Sequence, residues 1–129
     1  MNVLVIEDNE QNLYLVRFLL EARAHRMAEA RSGPEGIAAA QAALPDLILL
    51  DIQLPQMDGY AVARALRQMP AFDAVPIVAV TSYAMNGDRV NALAAGCDAY
   101  IEKPIDPDSF VAQVEAAAAA GRRTRGGTS

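Results

Sequence analysis

The chain has one cysteine, one histidine and no surplus of basic residues, and nowhere an apolar run of the roughly 20 residues that a membrane span needs. With Cys97 alone, an intramolecular disulfide and a cysteine-based zinc site are both excluded. A lone thiol fits a reducing compartment, where it reads as a small buried residue. His25 cannot be half of a catalytic pair and reads as a surface residue at the exposed approach to the second strand. The net charge of -5 argues against a surface that wraps nucleic acid, since such binding rests on clustered Lys and Arg neutralising phosphates. The exception is GRRTRGGTS, 121–129, which reads as a solvated, disordered basic tail after a domain spanning 1–120. The start MNVLVIEDNE turns acidic without the basic flank and the apolar stretch of about 7 to 15 residues that mark a secretory signal. No membrane association is expected, and the expected location is the cytoplasm.

What is there is a globular composition: 129 residues, 53% hydrophobic and 21% charged, enough for one domain with its own core. Short apolar runs alternate with longer amphipathic segments. The runs are VLVI (3–6), a weak one at 26–30, LILL (47–50), IVAV (77–80) and AYI (99–101). Three of them are continuously apolar, as strands covered on both faces of a parallel sheet should be. Helices are predicted at 10–23, 34–43, about 59–68, 87–95 and 106–119. Gly96 is the expected C-terminal cap of the fourth, and Asp106 the expected N-cap of the fifth. Five strand-helix units in strict alternation imply an α/β fold, an open doubly wound parallel sheet with helices on both faces and right-handed crossovers. Ligands of such sheets bind beyond the carboxyl ends of the strands.

At those ends stand Glu7 and Asp8, Asp51, Thr81 and Ser82, and Glu102, Lys103 and Pro104. If the first and third strands are neighbours, Glu7, Asp8 and Asp51 converge. Two carboxylates about 5 Å apart at an effective dielectric near 20 repel by roughly 3 kcal/mol, so three of them call for a cation. Oxygen-only donors suit magnesium; zinc or iron would ask for His or Cys. An acidic metal site facing a lysine and a hydroxyl is what phosphoryl transfer needs, with Lys103 and Thr81 meeting phosphoryl oxygens and Asp51 the best nucleophile of the three acids. Taken singly, Asp8 and Asp51 would be ordinary turn or cap residues. Their conjunction with Thr81 and Lys103 at successive strand ends carries the chemical reading.

VIEDNEQN (5–12), DIQLPQMDGY (51–60), AVTSYAM (79–85) and YIEKPI (100–105) together resemble the receiver domains of two-component response regulators, over nearly the whole chain. Within that family the sequence is similar to single-domain receivers of the DivK cell-division type. The resemblance implies the flavodoxin-like receiver fold, with a five-stranded sheet in the order 2-1-3-4-5. It implies phosphorylation of Asp51, with magnesium held by Asp8, Asp51 and the backbone carbonyl of Gln53, and reached by Glu7 through water. Lys103, Thr81 and the backbone N–H of Ser82 would bind the phosphoryl group. Tyr100 would turn inward after Thr81 moves and so remodel the face of the fourth helix, fifth strand and fifth helix, and the peptide before Pro104 would be cis. The implied donor is a sensor histidine kinase or a histidine phosphotransferase, and the implied output is a protein target bound through the remodelled face. Such a switch chemically modifies only itself and is not an enzyme in the ordinary sense.

Two residues depart from the family's common pattern. Glu7 stands where many members have Asp. Ser82 is followed by a bulky Tyr83, and with Gln53 this tyrosine is expected to shield an acyl phosphate from water and tune dephosphorylation. A dehalogenase-like phosphatase would want Asp at position 53, and a dinucleotide or flavin module would want a phosphate loop where Glu7 and Asp8 stand. The remaining rival is a receiver-like protein-binding module that acts without phosphorylation.

Overall fold

The computed structural model describes residues 1–82 and 86–121, with residues 86–88 as backbone only. The basic tail after Gly121 and the position of Tyr83 lie outside the described residues. Five parallel strands form one sheet: β1 (Asn2–Ile6), β2 (Arg26–Ala30), β3 (Leu47–Asp51), β4 (Ile77–Thr81) and β5 (Ala99–Glu102), in the order β2-β1-β3-β4-β5. The helices are α1 (Glu10–Ala22), α2 (Gly33–Ala42), α3 (Gly59–Arg67), α4 (Asn86–Ala95) and α5 (Phe110–Ala120).

The two-residue period of the strands splits the core in two. Leu4, Ile6, Ile48, Leu50, Ile77 and Ala79 face α2, α3 and α4, where Ala40, Val62, Leu66 and Ala92 meet them. Val3, Val5, Leu47, Leu49, Val78 and Val80 face α1 and α5, where Leu13, Val16, Leu20, Phe110 and Val114 close the second layer. All of β3 and β4 is buried, which is why their sequences show no alternation. By contrast β2 is an edge strand with three of its five residues exposed, and this is the physical cause of its weak apolar signal.

Several helix ends follow the expected chemistry. Asn9, Ser32 and Asp58 cap α1, α2 and α3 through side-chain oxygens that accept from the N–H three residues on. Gly96, at φ 110°, ends α4 in a left-handed conformation suited to glycine. The fifth helix differs from expectation: it begins at Phe110, not at Asp106. Asp106 instead organises the preceding turn, accepting from Asp108 N–H and Ser109 Oγ at 3.0 Å each. His25 differs too. Ala24 adopts φ 65° after α1, and the chain returns so that His25, only 13% exposed, lies 2.8 Å from Glu115 Oε2 on α5. A partner 90 residues away leaves no local mark in the sequence.

Behind the sheet, at the end opposite the strands' carboxyl ends, Arg67 joins four segments. Its guanidinium donates to Gly96, Phe72 and Val75 carbonyls and to Asp98 Oδ2 at 2.6 Å, and Asp98 also accepts from Ile77 N–H. Both side chains of the pair are about 95% buried. Removing one partner strands the other as an uncompensated buried charge, so Arg67→Met is expected to cost about 3–5 kcal/mol of folding stability. Urea denaturation of the variant measures this; a loss under about 1 kcal/mol would contradict the buried pair.

Candidate functional site

The parallel strands deliver their last residues to one edge of the sheet. Asp51 is the final residue of β3, in register with Val80, and Thr81 ends β4 in register with Glu102 of β5. Glu7 and Asp8 follow β1, whose pairing with β2 is prolonged by Glu7 N–H donating to Ala30 O. Lys103 follows β5, its N–H donating to Thr81 O at 2.8 Å, and the Lys103–Pro104 peptide is cis. Asp51, Glu7 and Thr81 are buried, whereas Asp8, Gln53 and Ser82 are exposed.

The three acids come together: one carboxylate oxygen from each of Glu7, Asp8 and Asp51 lies within 4.8 Å of the others. Lys103 Nζ is 2.7 Å from Glu7 Oε1 and 3.3 Å from Asp51 Oδ2. Gln53 N–H donates to Asp51 Oδ1 at 2.9 Å, and Ser82 Oγ donates to Gln53 Oε1, bridging the loops after β3 and β4. Two further residues shape this site, of which Asn9 had no counterpart in the sequence reading, whereas Gly59 is expected from sequence to shape the loop after Asp51 and start the next helix. Asn9, the cap of α1, also orients Glu7 by donating its N–H to Oε2 at 3.1 Å. Gly59 brings the start of α3 so close that a Cβ there would stand 2.6 Å from Asp51 O and Ile52 Cα. Tyr100 on β5 is half-buried against the core layer beneath α3 and α4.

Crowding of like charge away from water sets the protonation of the site. Burial pushes the Asp51 carboxyl up to about 7, and the adjoining Glu7 adds to the rise. Glu7 is held below its ordinary value: burial opposes its charge, but hydrogen bonds from Asp51 and Lys103 outweigh burial. Lys103 is held above its ordinary value for the matching reason, burial being outweighed first by Glu7. Of the two coupled carboxyls, Asp51 is therefore the one driven toward its protonated form.

The donor set fits a hard divalent cation. It is all oxygen, it carries excess negative charge, and one of its members, Asp8, is open to solvent. The site as a whole can hold a cation beside a buried carboxylate, with an ammonium on the other flank. That arrangement suits a group that will carry phosphoryl oxygens.

A family model described as the response regulator receiver domain matches residues 3–115. The chain belongs to this family. It is a receiver domain of two-component response regulators, and the fold and acid cluster agree with that membership. A curated relative, the polar-differentiation response regulator DivK of Brucella ovis, is 40% identical over 114 residues, 88% of this chain and 93% of that one. Among solved structures, a CheY-like receiver domain protein from Methanospirillum hungatei JF-1 superposes with a TM-score of 0.84 at 27% identity, covering 92% of this receiver and 94% of that chain. The receiver domain of a sensor histidine kinase from Pseudomonas aeruginosa PAO1 gives 0.84 at 30% identity, covering 92% and 97%; that structure has a magnesium ion coordinated in its active-site cleft. Among the described residues of this receiver, no helix is long and apolar enough to cross a membrane.

The proton on Asp51 makes a testable mark on stability. The folded receiver keeps it to about pH 7, whereas the unfolded chain releases it near the ordinary value of 3.8. Between those values the folded state binds more protons, so without metal its stability falls as pH rises and is level above the window. Asp51→Asn removes this dependence. Its melting temperature in metal-free buffer should match wild type near pH 4 and exceed it by about 5 °C or more by pH 8. Circular dichroism melts across that range check this; a pH-independent offset would show that Asp51 titrates normally.

Proposed function

We propose that the receiver is a phosphorylation switch that takes a phosphoryl group onto Asp51 from a phosphohistidine of a sensor histidine kinase or histidine phosphotransferase. The observation that carries the reading is the buried Asp51, at the end of a rigid central strand, flanked by Lys103 at 3.3 Å and by two further acids whose oxygens gather within 4.8 Å. In the transfer an Asp51 oxygen bonds to phosphorus as the P–N bond of the donor breaks, the electron pair staying on the imidazole. Asp51 reacts as the carboxylate, so its proton leaves first. Glu7, Asp8, Asp51 and the Gln53 carbonyl are the residues that would hold magnesium, Glu7 through water. Bound there, the ion would neutralise phosphoryl oxygens. Lys103, the Thr81 hydroxyl and the Ser82 N–H are the donors on the other side.

Signal output is assigned to Thr81 and Tyr100. Thr81 moves toward the phosphoryl group and Tyr100 turns into the space behind it, shifting a pre-existing balance between two states of the α4, β5 and α5 face. Ala79, paired with Tyr100 in register, stands two residues before Thr81 on β4, which supports a short mechanical path. The acidic net charge supports a protein rather than a nucleic acid as the target. The chemistry is self-modification, and the receiver is a switch rather than an enzyme with an external substrate.

Incubation with acetyl phosphate and magnesium should add the mass of one phosphoryl group to the wild-type protein, by intact mass spectrometry. None should be added to Asp51→Asn, or to wild type in EDTA. Equal labelling of Asp51→Asn would remove Asp51 as the acceptor, and no labelling of wild type would leave the phosphorylation-independent binding module as the reading. On the labelled protein, Gln53→Ala and Tyr83→Ala should each shorten the phosphoryl lifetime several-fold, followed as loss of that mass. Unchanged decay in both would remove them from dephosphorylation tuning.

A further inference from the structure

At the end of the sheet away from the acids, α2 does not close onto the strands. Near its start the helix lies so tight that a Cβ on Gly36 would run into Ile6 Cδ1. Towards its end the facing residues are too small to fill the gap: Ala28 of β2, in register with Leu4 of β1, and Ala39 and Ala43 of α2. A hollow of about 210 Å³ is left there, with the register pair Asn2 and Arg26 on its rim. An apolar cavity of about 150 Å³ already takes a benzene-sized group, so this one has room for a branched aliphatic side chain. Leu44, which follows α2, borders the hollow and is 60% exposed. It also borders a second hollow of about 350 Å³, which Met69, Pro70 and Phe72 help to line.

We propose that this surface pairs two copies of the receiver about a two-fold axis, the Leu44 of each filling the hollow of the other. A two-fold interface must be self-complementary, because the same patch meets itself. A knob beside a hole meets that condition. The charges meet it as well. Arg26 stands on the rim of the hollow with no ion pair among the described residues. Asp46 stands exposed two residues after Leu44, its Oδ2 accepting from Asn2 N–H at 2.7 Å. One cation and one anion on the same rim pair reciprocally across the axis, Arg26 of each copy with Asp46 of the other. A small apolar ligand would fill the hollow but leave Leu44 in water, whereas a second copy covers both. The strands' carboxyl ends, with Glu7, Asp8 and Asp51, lie at the other end of the sheet, so pairing leaves that site open on both copies. The inference is independent of the phosphoacceptor reading.

Sedimentation equilibrium of the unphosphorylated full chain, from about 10 µM to about 1 mM, measures the association. A small patch makes a weak dimer, and wild type should be half-dimeric near about 100 µM. Leu44→Asp removes the knob and should weaken association about tenfold or more. Ala28→Leu fills the hole from the strand side and should weaken it by a similar factor. Arg26→Asp and Asp46→Arg should each weaken it too, whereas an equimolar mixture of those two should associate within about threefold of wild type, since each copy then supplies the charge the other lacks. Wild-type amide signals by NMR need no variant: raising the concentration should move those of Arg26, Ala43 and Leu44 and leave those of Asp51 and Thr81 in place. A wild type that stays monomeric to about 1 mM overturns the inference and leaves the hollow to another occupant. So does a dimer that survives both Leu44→Asp and Ala28→Leu, a charge-variant mixture that stays monomeric, or shifts that fall on another face.

Discussion

Everything at the working end of this receiver follows from one electrostatic constraint: carboxylates gathered out of water with a single ammonium among them. Left to themselves, Glu7 and Asp51 could not both ionise so close together in a buried setting. Burial and Glu7 together push the Asp51 carboxyl toward its protonated form, while Lys103 lies between the two carboxyls and closer to Glu7. Both arrangements are provisional in a chemical sense, since a divalent cation satisfies the same carboxylates without a proton. The site is therefore poised between two ways of balancing the same charges, and the identity of the balancing group is what ligands can change.

The sheet is what makes the constraint bearable. Residues 47–50 are buried on both faces, and large apolar side chains buried this fully contribute roughly 1.5–3 kcal/mol each. That burial fixes Asp51 at the mouth of the site and does not let it swing out to water. The start of α3 is pressed onto the Asp51 carbonyl at Gly59, so the strand end cannot relax in that direction either. At the opposite pole Arg67 draws Gly96, Phe72, Val75 and Asp98 together. The sheet thus carries a buried, hydrogen-bonded charge pair at one end and the crowded acids at the other.

How much of this could be read from residue order depends on how far apart the cooperating groups lie. The apolar runs of β1, β3 and β4 announce themselves, and with them the residues at their ends, because backbone alternation and burial leave a local pattern. The edge strand β2 is faint because half of its surroundings is solvent. Asp106 has the residue type of a cap but does not cap the fifth helix, which begins at Phe110 after Ser109, since Asp can stabilise a turn as readily as a helix start. The Arg67–Asp98 pair and the His25–Glu115 contact left no trace, being made between segments 31 and 90 residues apart. In the site itself the cast was legible but the pairing was not. Nothing in residue order says that Lys103 lies closer to Glu7 than to Asp51.

The residue two places after Asp51 bears on how long a signal would last. Gln53 has an amide, which does not titrate near neutrality and so cannot serve as a general acid or base. Its N–H instead braces Asp51 Oδ1, and its side chain accepts from Ser82 across the mouth of the site. Of the other carboxylates, Glu7 is engaged by Lys103 and by Asn9 N–H, which leaves Asp8 as the acid facing solvent. On the proposed reading, an acyl phosphate on Asp51 would therefore stand among groups that bind phosphoryl oxygens, with little beside it to activate water. Binding strength without a dedicated base is the chemical condition for storing a phosphoryl group long enough for a surface change to be read by another protein.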